Sequence, residues 1–295
     1  MAPDPGNNDR KPETVSRLVQ WILRNLWRTG GDPTKCFNAL SEEEKKRVLS
    51  DGLGVSLLHN GLAFAMPLWW VFKNHETGIE LRNGSAFLVD FGHGIFAVTA
   101  AHVFREYLEA KKTAGEIGCQ LGSAQFDPEA RLICSRDDLD IATFRVSTSE
   151  AKQIDKAIVT AGPPNWEPLS PAAGEFAFFA GFPAQTRGMT SRADFVTAPY
   201  FAMPKITSVT DHQIACRFDR EKTIDFSGSG LPPQGYDIGG VSGGPLLMPT
   251  LVREGVVEGV VWRFAGVIVQ AAMGAMFEQV VAVRALYIQP DGQVG

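Results

Sequence analysis

Ser242 stands in the run Gly240-Val241-Ser242-Gly243-Gly244-Pro245. A serine hydroxyl is a weak nucleophile near neutral pH until a base takes its proton. Attack on a carbonyl also needs donors aimed at the oxygen where charge develops. Glycines on both sides of a serine let the backbone bend until its N–H groups face such a carbonyl. No Gly-Lys-Ser/Thr follows, so the run is not a phosphate loop. The candidate base is His102, in Thr99-Ala100-Ala101-His102-Val103, where an apolar strand gives way to a helical turn. The candidate orienting acid is Asp140, in Asp137-Asp138-Leu139-Asp140-Ile141-Ala142. A carboxylate beside an imidazole fixes its tautomer and stabilises the imidazolium. Asp137 and Asp138 compete for that role; Asp140 is preferred because it opens an apolar strand, where a side chain can be held. His59, His75, His93 and His212 read as surface or core polar residues, His93 in a hairpin turn.

These three side chains have to be carried by short strands. The segment Ser85 to Asp90, the turn Phe91-Gly-His-Gly94, and Ile95 to Thr99 read as a β-hairpin ahead of His102. A helix is expected from Ala101 to Lys112. Strands are expected over 131–135 and 141–146. Beyond a proline-rich linker near 162–171 they are expected over 175–180, 195–202, 212–218, 245–248, 258–269 and 280–288. Ahead of all this, Val15, Leu18, Val19, Ile22, Leu23, Leu26 and Trp27 form one apolar helical face. Gly30-Gly31 stops that helix, and Ser41-Glu42-Glu43-Glu44 reads as a capping box for a later one. The expected organisation is a helical extension over 1–53, a strand-rich half over 54–162 carrying His102 and Asp140, and a second over 163–295 carrying Ser242.

Three motifs in one order, Thr-Ala-Ala-His102, Asp140-Ile-Ala and Gly-Val-Ser242-Gly-Gly-Pro, resemble the chymotrypsin-like (trypsin-fold) serine peptidases. The order His…Asp…Ser differs from those of subtilisin and the α/β-hydrolases. Gly84-Ser-Ala-Phe-Leu-Val, Gly181-Phe-Pro183 and Ala265-Gly-Val-Ile-Val269 support the match, which covers about residues 54–290. The resemblance implies a mainly β fold of two antiparallel six-stranded barrels with the site in the cleft between them. It implies Ser242 as nucleophile, His102 as base and Asp140 as orienting acid, with the N–H groups of Gly240 and Ser242 as the oxyanion hole. It further implies substrate pairing along Gly266 to Gln270, including Val269. The specificity pocket would be walled partly by Gly235 to Gly239: either Asp237 meets a basic side chain, or Tyr236 caps a shallow apolar pocket with Ala271 and Met273 as the opposite wall. Asp237 would favour cleavage after Arg or Lys through a charge-assisted hydrogen bond; alternatively, it bonds its own loop backbone. Val241 replaces the acidic residue that often precedes the serine in secreted members, and no Ile-Val-Gly-Gly activation site is present. The chain therefore looks like the intracellular bacterial-type members. Two alternatives stay open: a non-catalytic peptide-binding module and an esterase-like acyl hydrolase.

Composition agrees with a globular protein. In 295 residues, 44% are hydrophobic and 21% charged, close to ordinary globular usage. Thirty glycines and eighteen prolines favour a turn-rich β protein over a helical bundle. The net charge of −5 lacks the basic excess of a duplex-binding surface, so no nucleic-acid partner is expected. Cys36, Cys119, Cys134 and Cys216 form no C-x-x-C pair or zinc spacing, and no His-x-x-x-His occurs, so neither metal nor cofactor is expected. Reduced thiols, together with a polar, proline-rich start lacking a secretory apolar stretch, predict a cytoplasmic location. The apolar runs 54–72 and 264–277 read as buried strands, and no membrane partner is expected. The expected partner is a peptide or protein substrate. The helical extension is expected to pack on the barrels or to dock a protein partner.

Overall fold

The computed structural model describes residues 59–295 apart from 75, 115, 161–168, 170, 190–194, 219–234, 255–256 and 274–277. The expected helical extension and the proline-rich linker lie largely or wholly outside the described residues. The first sheet is built from β1 (Ala65–Asn74), β2 (Gly78–Asp90), β3 (Phe96–Ala100), β4 (Ile117–Leu121), β5 (Ala124–Gln125), β6 (Leu132–Arg136), β7 (Ile141–Arg145) and β8 (Ile158–Thr160). Helices α1 (Ala101–Ala114), α2 (Pro128–Arg131) and α3 (Thr148–Ile154) are inserted among them. Next come β9 (Phe178–Gly181), a separate ribbon of β10 (Gly188–Met189) and β11 (Phe195–Val196), β12 (Tyr200–Ala202) and β13 (Lys205–Val209). The chain ends with β14 (Gln213–Arg217), β15 (Pro245–Glu254), β16 (Val257–Met273) and β17 (Glu278–Arg284).

The first sheet runs β5-β4-β1-β2-β3-β7-β6, with the short β8 parallel to β2. The second runs β12-β9-β15-β16-β17-β14-β13, all antiparallel. A bridge from Phe176 to Lys205 brings β13 back to the chain entering β9. The mainly β architecture of two antiparallel sheets is the one expected for a double β-barrel. Strand numbers exceed six per sheet for local reasons. In the first, β5 and β8 are short additions of two and three residues. In the second, Pro204 lacks an N–H and divides one run into β12 and β13.

Each sheet wraps its own apolar core. The first contains Leu68, Trp70, Phe104, Tyr107, Phe126 and Phe144, all nearly fully buried. Phe144 meets Phe104 and Phe126 edge-on, at ring separations of 5.2 and 6.0 Å. The second contains Phe179, Ile206, Ile214, Ile238, Val241 and Ile268. Phe87 of β2 and Phe264 of β16 lie 5.1 Å apart and join the two sheets. Cys119, Cys134 and Cys216 are free thiols, and burial pushes the Cys216 thiol up to about 12. Among the described residues, no helix is long and apolar enough to cross a membrane.

Phe144 ties α1 to β7, the elements that carry His102 and Asp140. Phe144→Ala should cost about 3–5 kcal/mol through lost burial and the cavity it leaves. Equilibrium urea denaturation should show this as a lower midpoint.

Candidate active site

His102 is the second residue of α1 and Asp140 immediately precedes β7. Strands β3 and β7 are paired through Ala100↔Ile141, which sets the residues after one beside those before the other. Asp140 Oδ2 lies 2.7 Å from His102 Nδ1, and Asp140 Oδ1 accepts the His102 backbone N–H at 2.8 Å. The Asp140 carbonyl also accepts the Ala101 N–H at 3.0 Å. Helix α1 has no acidic residue in its own first turn. Asp140 therefore supplies from another strand both a partner for a first-turn N–H and the negative charge a helix start favours. It does so at φ 52°, a left-handed conformation that Asp tolerates better than most residues.

The rival carboxylates are engaged elsewhere. Asp137 pairs with Arg105. Asp138 takes Nε and Nη2 of Arg136 at 2.8 and 2.6 Å, and that guanidinium holds its carboxyl below the usual range. Of the three aspartates, Asp140 is the one brought to His102.

Ser242 lies in the loop ahead of β15, and only 9% of its surface is exposed. Gly243 packs so tightly that an added Cβ would fall 2.0 Å from the Ser85 carbonyl oxygen, 2.2 Å from Thr99 Oγ1 and 3.0 Å from the Ala100 nitrogen. Thr99 and Ala100 end β3, just ahead of His102, so the serine loop is pressed against the strand that delivers the histidine. Gly243 also has φ +89°, which disfavours any side chain. Among the described residues, no hydrogen bond joins Ser242 Oγ to the His102 ring; such bonds are often long before substrate enters.

The backbone around Ser242 uses its hydrogen bonds selectively. Val241 N–H donates to Ile238 O, Gly243 N–H to Ile268 O and Gly244 N–H to Val241 O, at 3.1, 2.7 and 3.0 Å. Neither Gly240 N–H nor Ser242 N–H has a protein acceptor among the described residues. The carbonyl on the far side of each of those two peptides is anchored. Gly239 O accepts Ala184 N–H at 2.6 Å, and Val241 O accepts Gly244 N–H. In a planar trans peptide the N–H points opposite the C=O, so both donors are held away from those anchors. Two unspent donors thus flank a largely buried hydroxyl.

The other expected site residues are placed as follows. Gly266 is paired on both sides, with Leu246 of β15 and Arg284 of β17, so its backbone sits within the sheet. Pairing between β15 and β16 ends at Pro245↔Val267. From Val269 to Met273 the pairing is with β17 alone, and among the described residues no strand pairs with the other edge. Val269 is the extra residue of a bulge, and Gln270 is exposed. Ala271 and Tyr236 both pack against the second core. Tyr236 lies 6.2 Å from the Tyr200 ring, and burial raises its hydroxyl pKa. Asp237 closes its own turn: Oδ1 accepts Gly239 N–H at 2.7 Å, and its N–H donates to Gln185 Oε1 at 3.1 Å. Among the described residues, no group of three or more His, Cys, Asp or Glu gathers to hold a metal.

Sequence reasoning gave no role to Ser85, Asn83 or the chain 182–185. Asn83 Nδ2 donates to Phe182 O at 2.6 Å, and Ser85 Oγ accepts Phe182 N–H at 2.8 Å. The signal for Ser85 was a lone polar residue opening the apolar run Ser85-Ala-Phe-Leu-Val89.

No family model matches the chain, and no curated protein matches it. Among solved structures it is similar to AL20, described as a thermostable serine protease from an extremophilic microorganism. That match has 11% identity and TM-score 0.43, covering 76% of this chain and 92% of that one. It is also similar to a chain from a study of the Sesbania mosaic virus VPg protein, at 14% identity and TM-score 0.38, covering 77% and 94%. A third is an inactive mutant form of Rv3671c from M. tuberculosis H37Rv, at 16% identity and TM-score 0.36, covering 80% and 87%. The functional reading therefore rests on this chain's own geometry.

Gly243→Ala should destabilise the protein by several kcal/mol, on the order of the largest single-residue effects, since backbone atoms meet the new Cβ. A thermal melt should show a large drop, whereas Ala at exposed Gly188, which has open space around it, should leave the melt nearly unchanged.

Proposed function

We propose that the protein is a serine endopeptidase that cleaves peptide bonds through an acyl-enzyme. The observation that carries this reading is the Asp140–His102 pair beside a Ser242 loop whose Gly240 and Ser242 N–H groups are unspent. Ser242 Oγ attacks the scissile carbonyl carbon while His102 Nε2 takes its proton. Asp140, bonded to Nδ1, keeps the proton on that nitrogen and stabilises the imidazolium. The carbonyl oxygen, now negative, is met by the N–H groups of Gly240 and Ser242. Collapse expels the amine, which takes its proton from His102, and leaves an ester on Ser242. Water, deprotonated by His102, then releases the acid and restores the hydroxyl.

The edge of β16 from Val269 to Ala271, unpaired among the described residues, supports a peptide substrate over a small ester. An extended chain can add there as a further strand, matching backbone donors to acceptors. Asp237 is read as a turn residue: its carboxylate holds Gly239, next to the Gly240 donor, instead of selecting a basic side chain.

A fluorophosphonate should add one label to the wild type, and Ser242→Ala should remove it. Loss of the serine should lower peptide turnover by on the order of 10⁶. Wild-type cleavage rates in the Ser242→Ala variant would refute the assignment. Asp237→Ala should lower cleavage of all peptides in a mixed library alike. A selective loss of cleavage after Arg and Lys would instead make Asp237 a specificity residue.

A further inference from the structure

We propose that Ser85 is a positioning residue for acyl transfer, its hydroxyl holding the Gly240 peptide so that the Gly240 N–H stays available to the substrate. The inference rests on the serine-hydrolase reading above and names a residue outside the triad and its two donors. Ser85 is fully buried at the start of the apolar run of β2, among Ala86, Phe87 and Leu88. A buried hydroxyl in such a place is costly unless bonded. All of its polar groups are bonded, and they reach across to the second sheet. Ser85 Oγ donates to Gly240 O at 2.7 Å and accepts Phe182 N–H at 2.8 Å. Its backbone N–H donates to Ser242 O at 2.9 Å. Its carbonyl accepts Thr99 Oγ1 at 2.6 Å, from the strand that leads to His102.

Two of these contacts bear on different parts of the loop. The backbone bond to Ser242 O needs no side chain and persists in any Ser85 variant. The hydroxyl bond to Gly240 O does not. Gly240 has φ +95° and no side chain to restrain it, so its two peptide planes are set by the hydrogen bonds they make. The plane carrying the Gly240 N–H is anchored by Gly239 O on Ala184 N–H; the next plane is anchored by Gly240 O on Ser85 Oγ and by Val241 N–H on Ile238 O. Without Ser85 Oγ, Gly240 O loses its donor and Phe182 N–H loses its acceptor, in the chain whose Ala184 N–H holds Gly239 O; both planes of Gly240 loosen and its N–H leaves the position that a developing oxyanion requires. Neighbouring Ile238 and Val241 are held by burial in the second core. The loss therefore falls on transition-state stabilisation, with the nucleophile and ground-state binding left in place.

The test compares an oxygen ester with its thionoester on the full chain. Sulfur accepts N–H hydrogen bonds poorly, so the ratio of the two turnover rates reports donors aimed at the developing anion. In Ser85→Ala, kcat on the ester should fall by about 10- to 100-fold, somewhat less than deleting a donor outright. KM should stay within about twofold. Thionoester turnover should change little, so the ester preference falls by the same factor. Ser85→Cys, which keeps the shape with a weaker donor, should lie between the two and carries the test if Ser85→Ala does not fold. A variant that melts lower but keeps the wild-type ester preference would overturn the inference. A wild type that neither takes the fluorophosphonate nor turns over the ester would overturn the serine-hydrolase reading, and this inference with it.

Discussion

The close approach of the Ser242–Gly244 backbone to Ser85, Thr99 and Ala180 constrains everything else at the site. A Cβ at Gly243 would collide with the Ser85 carbonyl, and one at Gly244 would lie 2.1 Å from the Ala180 carbonyl. The two sheets can therefore come together here only through bare backbone. Once they do, the polar groups of the loop must find partners in a seam that largely excludes water. Ser85 supplies partners to residues 240 and 242, and Ile268 accepts the Gly243 N–H at 2.7 Å. Among the described residues, what is left unpartnered in the loop is the pair of donors beside the hydroxyl.

The same economy governs the first sheet. Asp140 satisfies the start of α1 and orients His102 with one carboxylate. Folding energy and site geometry are thus drawn from the same contacts. The apolar packing beneath, from Phe144 to Phe104 and Tyr107, keeps α1 and β7 in register, so the histidine's orientation is a consequence of core packing. Val241, the residue before Ser242, is fully buried. Its burial fixes the loop by apolar contact, without needing a charged partner.

Much of this was legible in the sequence because it depends on local chemistry. The β2–β3 hairpin, the helix after Ala100 and the strand after Asp140 follow from alternation, turn residues and apolar runs, and the structure places them close to expectation except that β2 starts well before Ser85, at Gly78. That Asp140, and not Asp137 or Asp138, lies beside His102 agrees with its position at a strand start. Strand β13 was not legible, because Lys205-Ile-Thr-Ser-Val209 offers one fully buried apolar residue, Ile206, and a register shift after it breaks the alternation. The end of β16 was missed since Ala271 and Ala272 carry little strand signal. Gly266 is read from the sequence as part of the substrate-facing stretch; in the structure its backbone is paired with both β15 and β17. Ser85 and the 182–185 segment could not be assigned from spacing. Their roles arise from contacts between residues about 100 to 155 apart in the chain.

The central claim is that Ser242 and the donors flanking it form one prepared site. A crystal structure of the protein with a peptide aldehyde tests that most directly. The account predicts a covalent bond from Ser242 Oγ to the former carbonyl carbon. The adduct oxygen should lie about 2.7–3.1 Å from the backbone nitrogens of both Gly240 and Ser242. An aldehyde bound elsewhere, or an adduct whose oxygen turns to solvent with the Gly240 carbonyl rotated into its place, would contradict it.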